Sequence, residues 1–320
     1  MSQPHAKGNV RRRWRTNDED AKQSLSDFLV RRCPEAPAGF LNRLLRQGFV
    51  TIDGTPADRR TTLRSGQRIS LRLPDDAFLV APNPDVPFRV IHEDDSLIVV
   101  EKPSGVVTEP GIGHKLDTLL NGLIARYGKE LDRLGPPCDF GMVHRLDRDA
   151  SGLLVVARSA TVQRRLTTEF RQRHVNKRYL ALVHGVLPKK RGPIRFPLGR
   201  KRRRGRAVAI IGGPGTKPAV TDYRIRETFS DATLVEAVPH TGRWHQLRLH
   251  FAAIGHPIAG DPDHGDAIAD ARFKKRCGLD RLFLHAAHLG FRHPVAGRRL
   301  TFSSPLPEKL RQAIDCLRYT

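Results

Sequence analysis

Apolar residues along this chain fall into short clusters separated by polar turns. Leu25, Phe28 and Leu29 stand at helical spacing, as do Phe40, Leu41, Leu44 and Leu45, and Gly48 is placed to end the second helix. Val50 and Ile52 start a strand, Asp53-Gly54 is a hairpin turn, and residues 68–73 alternate, with Ile69, Leu71 and Leu73 toward a core. Residues 88–91 and 97–100 read as strands around a turn at 92–95. Leu116, Leu119, Leu120, Leu123, Ile124 and Tyr127 form one helical stripe, which is core and not a ligand box. Residues 153–157 are an apolar run of buried-strand length. Val162, Leu166 and Phe170 mark another helix with a basic face. Residues 176–185 alternate like a strand, with Tyr179, Ala181 and Val183 on one side, and residues 233–238 form a further strand.

This pattern divides the chain into a small front unit over 21–75 and a larger one over 88–320. Between them, 76–87 lies in a stretch rich in Pro and Asp that reads as a linker. Residues 1–20, with Arg11-Arg12-Arg13-Trp14-Arg15, read as a basic disordered tail.

Charge narrows the partner. The 320 residues carry 56 Lys+Arg against 33 Asp+Glu, a formal net charge of +23, and nucleic acid is the usual partner of such an excess. No apolar run reaches the length of a membrane span, and the first twenty residues lack a signal-peptide core, so a membrane partner is not expected. Residues 189–206 contain ten basic residues and no acidic one. Such a block repels itself and is expected to form an RNA-facing loop. The four cysteines, at 33, 138, 277 and 316, are far apart and form no CxxC pair. That argues against a zinc site or a disulfide framework and fits a reducing cytoplasm.

The candidate chemistry lies in GMVHRLDRDASGLLVVARS, residues 141–159. A polar loop with His144, Arg145, Asp147, Arg148 and Asp149 leads through Ser151-Gly152 into the buried strand. A loop fixed beside a buried strand presents a side chain rigidly. A carboxylate at Asp147 with arginines on either side would stay ionised, and could serve as a nucleophile or a base. By itself an Arg-Leu-Asp triplet reads better as a surface salt-bridge loop.

The longer motif, His144-Arg145-Leu146-Asp147 followed by Arg148-Asp149-Ala150-Ser151-Gly152-Leu153-Leu154, resembles the signature of the RluA-type pseudouridine synthases, with Ala150 where the family usually has threonine. The resemblance extends over about 88–306. It includes Lys102-Pro103-Ser104-Gly105, the strand with Tyr179, Thr216 to Thr221, Thr241-Gly242-Arg243-Trp244-His245-Gln246-Leu247-Arg248, and Leu284 to Phe291. It implies Asp147 as catalytic residue, Tyr179 as active-site tyrosine and Arg248 as partner of the aspartate. A bidentate Arg248–Asp147 pair is expected from this. It further implies that Arg145 fills the stack left by a flipped nucleotide. His144 and Lys102 are further candidate substrate contacts, Lys102 being equally a structural lysine. The implied fold is α+β, a mixed, mainly antiparallel sheet with flanking helices. The segment LNRLLRQGFVTIDGTPADRRTTLRSGQRISL resembles the RNA-binding domain named after the fourth small-subunit ribosomal protein, with Arg43 and Arg46 as candidate RNA contacts.

The expected reaction isomerises uridine in RNA and needs no cofactor. A metal is not expected, since His245 and His250 are five apart rather than at helical i, i+4 spacing. A non-catalytic RNA-binding assembly factor is the main rival, and Asp147, Tyr179 and Arg248 together argue against it. A zinc deaminase lacks its Cys-x-x-Cys pair, since Pro137-Cys138 has no second cysteine. Gly260-Asp261-Pro262-Asp263-His264-Gly265-Asp266 departs from the commoner Gly-Asp-x-x-Tyr-Gly and resembles a tRNA-acting branch. The front unit is more typical of branches acting on large-subunit rRNA. Two separate basic surfaces favour rRNA, with tRNA as the alternative, and the chain is expected to be a monomer.

Overall fold

A computed structural model describes residues 10–33, 41–42, 44–45, 48–73, 80–111, 113–203 and 206–319. Ser24 accepts the N–H of Asp27 and starts helix α1 (Leu25–Arg32), whose Leu25, Phe28 and Leu29 are fully buried. Leu41, Asn42, Leu44 and Leu45 are helical, and Leu41, Leu44 and Leu45 join the same core. Asp53 and Gly54, at φ 50° and 88°, turn the chain between β2 (Val50–Ile52) and β3 (Thr55–Pro56), as the Asp-Gly pair predicts. β4 (Arg68–Leu73) pairs with β2, and Ile69 and Leu71 face the core.

The expected tail is corrected over 10–20. Residues Val10–Arg15 form strand β1, antiparallel to β4, and Trp14 packs edge-on against Phe28 at 6.0 Å. An edge strand whose side chains are mostly arginine looks like a solvated tail in sequence; one aromatic anchor and an open edge on β4 make it a strand. Asn17 and Asp20 then form a capping box, and buried Asp20 meets Arg31 and Arg32.

The linker is corrected in its second half. Asn121 Nδ2 donates to the carbonyl of Ala81 at 2.7 Å, Asn83 Nδ2 donates to that of Leu116 at 2.8 Å, and Val86 is buried. Residues 80–87 thus pack on the larger unit, while 74–79 lie outside the described residues.

The larger unit is built on nine strands: β5 (Arg89–Glu93), β6 (Leu97–Lys102), β7 (Ser151–Ala157), β8 (Asn176–His184), β9 (Arg191–Ile194), β12 (Thr221–Thr228), β13 (Ala232–Pro239), β14 (Leu284–Arg292) and β15 (Arg299–Ser303). Their order is β5-β6-β7-β14-β8-β13-β12-β9, with β15 on β14, and among the described strands of this sheet only the β7–β14 pair is parallel. This is the expected α+β sheet. At Gly152 the parallel strands come so close that a Cβ would stand 2.4 Å from the Ala286 carbonyl oxygen, so only glycine fits.

Helix α2 (Leu119–Leu134) starts later than the stripe predicts. Thr118 and Asn121 form a capping box there, which leaves Leu116 outside the helix and 58% exposed. Helices α3 (Ala160–Arg171), α4 (Gln246–Ala253), α5 (Ala267–Cys277) and α6 (Glu308–Tyr319) complete the unit.

The basic block is not a loop. β10 (Leu198–Arg203) and β11 (Arg206–Ile211) make a hairpin, and Arg191–Ile194 is strand β9 on the sheet edge. In the hairpin register Arg200 and Lys201 stand opposite Ala209 and Val208, so no like charges face each other at these two positions, while Arg203 is paired with Arg206. Leu198 and Ala209 anchor the hairpin on Leu249 of α4, and the Arg200 guanidinium lies 4.7 Å from the ring centre of Trp244.

Candidate active site

A cleft of about 630 Å³ opens where the loop before β7, the middle of β8 and the start of α4 converge. Asp147, Arg145, Tyr179, Leu284, Trp244 and His245 are among its walls, with Arg171, Arg173, Lys177 and Arg243 adding positive charge.

The Asp147 loop is held by its backbone carbonyls. Thr108 Oγ1 donates to Leu146 O at 2.7 Å, Ser104 Oγ to Asp149 O at 2.7 Å, and Lys102 Nζ to Arg148 O at 2.9 Å. Arg281 Nη2 donates to Ser151 Oγ at 2.9 Å, and that hydroxyl meets His285 Nδ1 at 2.9 Å. These side-chain bonds replace the ladder that a loop lacks, so Asp147 sits on a rigid support.

Lys102 requires a correction. It is fully buried and also donates to the carbonyls of Pro103 and Val106, at 2.8 and 2.6 Å. Burial pulls its pKa down to about 7. Three carbonyl acceptors nevertheless call for three N–H donors, which only the ammonium provides. It ties the loop together, and its ammonium is buried among these carbonyls.

His144 lines the cleft, yet its Nε2 accepts the Val155 N–H at 3.0 Å and its ring stacks on Phe170 at 4.5 Å. Burial lowers its pKa to about 3, so it is neutral, with its proton on Nδ1. Arg145 is exposed at the cleft mouth. Arg43 and Arg46 lie outside the described residues.

Tyr179 rises from the centre of the sheet. Its neighbours across the strands are Ala237 on β13 and Ala286 on β14, small residues that leave room above the sheet beside the ring. Burial, reinforced by the Asp147 charge, raises the phenol pKa, so the hydroxyl keeps its proton.

Arg248 is 2% exposed beneath the cleft. Its bidentate partner is Asp261, through Nε–Oδ2 at 2.8 Å and Nη2–Oδ1 at 2.5 Å, with Asp263 on Nη2 at 2.7 Å. Asp147 Oδ2 lies 3.7 Å from Nη1, an ion pair without a bidentate bond, which corrects the expected Arg248–Asp147 geometry. Burial opposes the guanidinium charge, but the bonds to Asp261 and Asp263 and the field of Asp147 outweigh it and raise the pKa. Asp261 is driven the other way: burial works against its charge, and Arg248 with the N–H groups of Asp263 and His264 holds its pKa low. Asp261 was missed in the sequence as a partner, although its place in the Gly-Asp segment was the available signal.

His250 is bound to residues other than histidine. It is buried with Nδ1 on Thr221 Oγ1 at 2.9 Å. His245 instead meets His264, Nδ1 to Nε2 at 2.9 Å, a neighbour that spacing along one helix does not reveal.

A family model described as RNA pseudouridylate synthase matches residues 96–253. The chain is 36% identical over 307 residues to ribosomal large subunit pseudouridine synthase D of Xanthomonas campestris, covering 94% of this chain and 91% of that protein. It is 35% identical over 315 residues to ribosomal large subunit pseudouridine synthase C of Vibrio cholerae, covering 94% and 95%. Among solved structures, human RNA pseudouridylate synthase domain containing 4 aligns with a TM-score of 0.56 at 26% identity, over 72% of this chain and 93% of that one.

Proposed function

This chain belongs to the RNA pseudouridine synthase family, and we propose that it acts on large-subunit ribosomal RNA with Asp147 as its catalytic carboxylate. It is an isomerase of uridine in RNA. The reaction breaks the bond from ribose C1′ to uracil N1, turns the base and joins C1′ to C5. The proton lost from C5 is balanced by one gained at N1. Asp147 acts on the ribose: it is a carboxylate on a braced loop in the cleft, facing both a buried arginine and a sheet tyrosine. That juxtaposition carries the reading.

Tyr179 offers a flat ring for the uracil and a protonated hydroxyl at the reacting base. Arg248 keeps a positive charge beside Asp147. The target nucleotide must leave its helix to enter, and Arg145 at the mouth takes its place in the stack. Relatives named for large-subunit rRNA support the substrate assignment. Incubating the purified enzyme with bulk tRNA and protein-free large-subunit rRNA side by side tests it: new pseudouridine is expected in the rRNA, and product in tRNA alone overturns the assignment.

The front unit is read as an RNA-binding domain of the type named after the fourth small-subunit ribosomal protein. Its support is a basic strand on a small sheet, a hairpin at Asp53-Gly54 and exposed Arg59, Arg60 and Arg64. With the β10–β11 hairpin it gives two basic surfaces for an extended RNA. Deleting residues 1–75 is expected to weaken binding and flatten its salt dependence; an unchanged salt slope would remove this role.

A further inference from the structure

His245 stands at the N-cap position of α4 in a left-handed backbone conformation, φ 55° and ψ 26°, which is uncommon for a residue with a Cβ. From there its ring bridges two side chains. Nε2 lies 3.1 Å from Arg248 Nη1, and Nδ1 lies 2.9 Å from His264 Nε2. A guanidinium has donors only, so His245 Nε2 accepts and its proton sits on Nδ1. That proton is donated to His264 Nε2, which leaves the His264 proton on Nδ1. One arginine therefore sets the tautomers of both rings. Nε and Nη2 of Arg248 are held by Asp261 and Asp263, and the nitrogen held by His245 is the one that faces Asp147.

We infer that His245 and His264 are positioning residues: a neutral hydrogen-bonded pair that fixes Nη1 of Arg248 against Asp147, with His264 as the end where an entering proton breaks the chain. This rests on the assignment of Asp147 and Arg248 made above. The charged groups facing the pair are Asp147 from the loop before β7, Arg248 from α4, and Asp261 and Asp263 from the segment after Gly260. Burial lowers the pKa of both rings, against the pull of Asp147 on His245 and of Asp261 on His264. Protonating either ring turns an acceptor nitrogen into a donor aimed at a donor. A histidine at position 264, where the family pattern has tyrosine, makes this end of the chain titratable.

A divalent cation is the other occupant these atoms suit, since His245, Asp263 and His264 bring ligand atoms within 4.8 Å of one another. The His245–His264 hydrogen bond occupies Nδ1 of one ring and Nε2 of the other, Arg248 takes Asp263 Oδ2 at 2.7 Å, and the arginine charge repels a cation. The hydrogen-bonded reading is therefore the stronger one.

The test compares kcat and KM over pH 5–9 for the wild type, His264→Phe and His264→Tyr, with Asp147→Asn alongside. His264→Phe should lower kcat roughly tenfold, as expected for a displaced catalytic group, with little change in KM. His264→Tyr should recover most of that loss, because a phenol oxygen accepts the His245 proton. Its acid limb should lie at lower pH than that of the wild type, since one protonation site is gone. Superimposable wild-type and His264→Phe profiles overturn the inference. Nitrogen NMR of histidine-labelled enzyme should find His245 protonated at Nδ1, and an Nε2 proton overturns it without any appeal to activity. Inhibition by micromolar zinc that vanishes in His264→Phe would replace it with a cation site. Activity surviving in Asp147→Asn would strike the catalytic assignment instead, so the two failures are distinguishable.

Discussion

Arg248 is gripped by Asp261, not by Asp147: the Asp261 carboxylate takes both Nε and Nη2 in a fully desolvated pair, while Asp147 stands 3.7 Å from Nη1 with its side chain partly open to the cleft. The arginine is thus anchored from below and presents one nitrogen upward. The Asp261 pair is the buried anchor, and the presented nitrogen is the one nearest Asp147.

Asp147→Asn is expected to abolish isomerisation, since the amide is neither nucleophile nor base. RNA affinity should hardly change, because a carboxylate offers no favourable contact to phosphate. Single-turnover conversion near the wild-type rate by the pure variant would refute the mechanism.

Removing the anchor should cost stability where removing Asp147 does not. Arg248→Ala leaves Asp261 buried and unpaired, so urea unfolding should show a loss of about 3–5 kcal/mol, the usual cost of breaking a buried pair. Asp147→Asn should cost less than about 1 kcal/mol, as for a solvent-screened pair. Equal losses in the two variants would contradict this division of labour.

Tyr179→Phe keeps the ring and removes the proton. Burial raises the phenol pKa, so the hydroxyl is protonated at neutral pH and available as a donor. Substrate binding should persist while product formation falls. Weakened binding with an unchanged rate for bound substrate would assign the hydroxyl a structural role.

Stability should fall as the solution is acidified from neutrality. His144, His250 and His285 all have pKa values lowered by burial, His144 to about 3. Between that value and 6.5 the unfolded chain binds protons that the folded chain refuses, so stability is lost as pH drops through this window. Thermal melts from pH 7.5 to 5 should show a steady decrease. A flat profile would mean that these rings protonate in place.

Lys102→Met should slow turnover without touching substrate. Three carbonyls, at Pro103, Val106 and Arg148, lose their common donor and the Asp147 loop loosens. A fall in kcat larger than any rise in KM is expected, and a change confined to KM would return Lys102 to the role of a phosphate contact.

Local chemistry made much of this protein legible in its sequence. The alternation through Tyr179, Ala181 and Val183 fixed β8, Asp53-Gly54 fixed a hairpin, and the motif around Asp147 marked the loop that leads into β7. Each depends on neighbours along the chain, so periodicity and turn chemistry suffice. Tertiary structure decided what depends on distant partners. The arginines of β1 read as a tail until β4 offered an edge. The basic block read as a loop until the hairpin register set Arg200 and Lys201 opposite Ala209 and Val208. Asp261 for Arg248, the Arg148 carbonyl for Lys102 and His264 for His245 are pairings between different segments of the chain. Their physical reason is shared: a buried polar group must find a partner wherever the fold supplies one, and linear spacing does not say where that is.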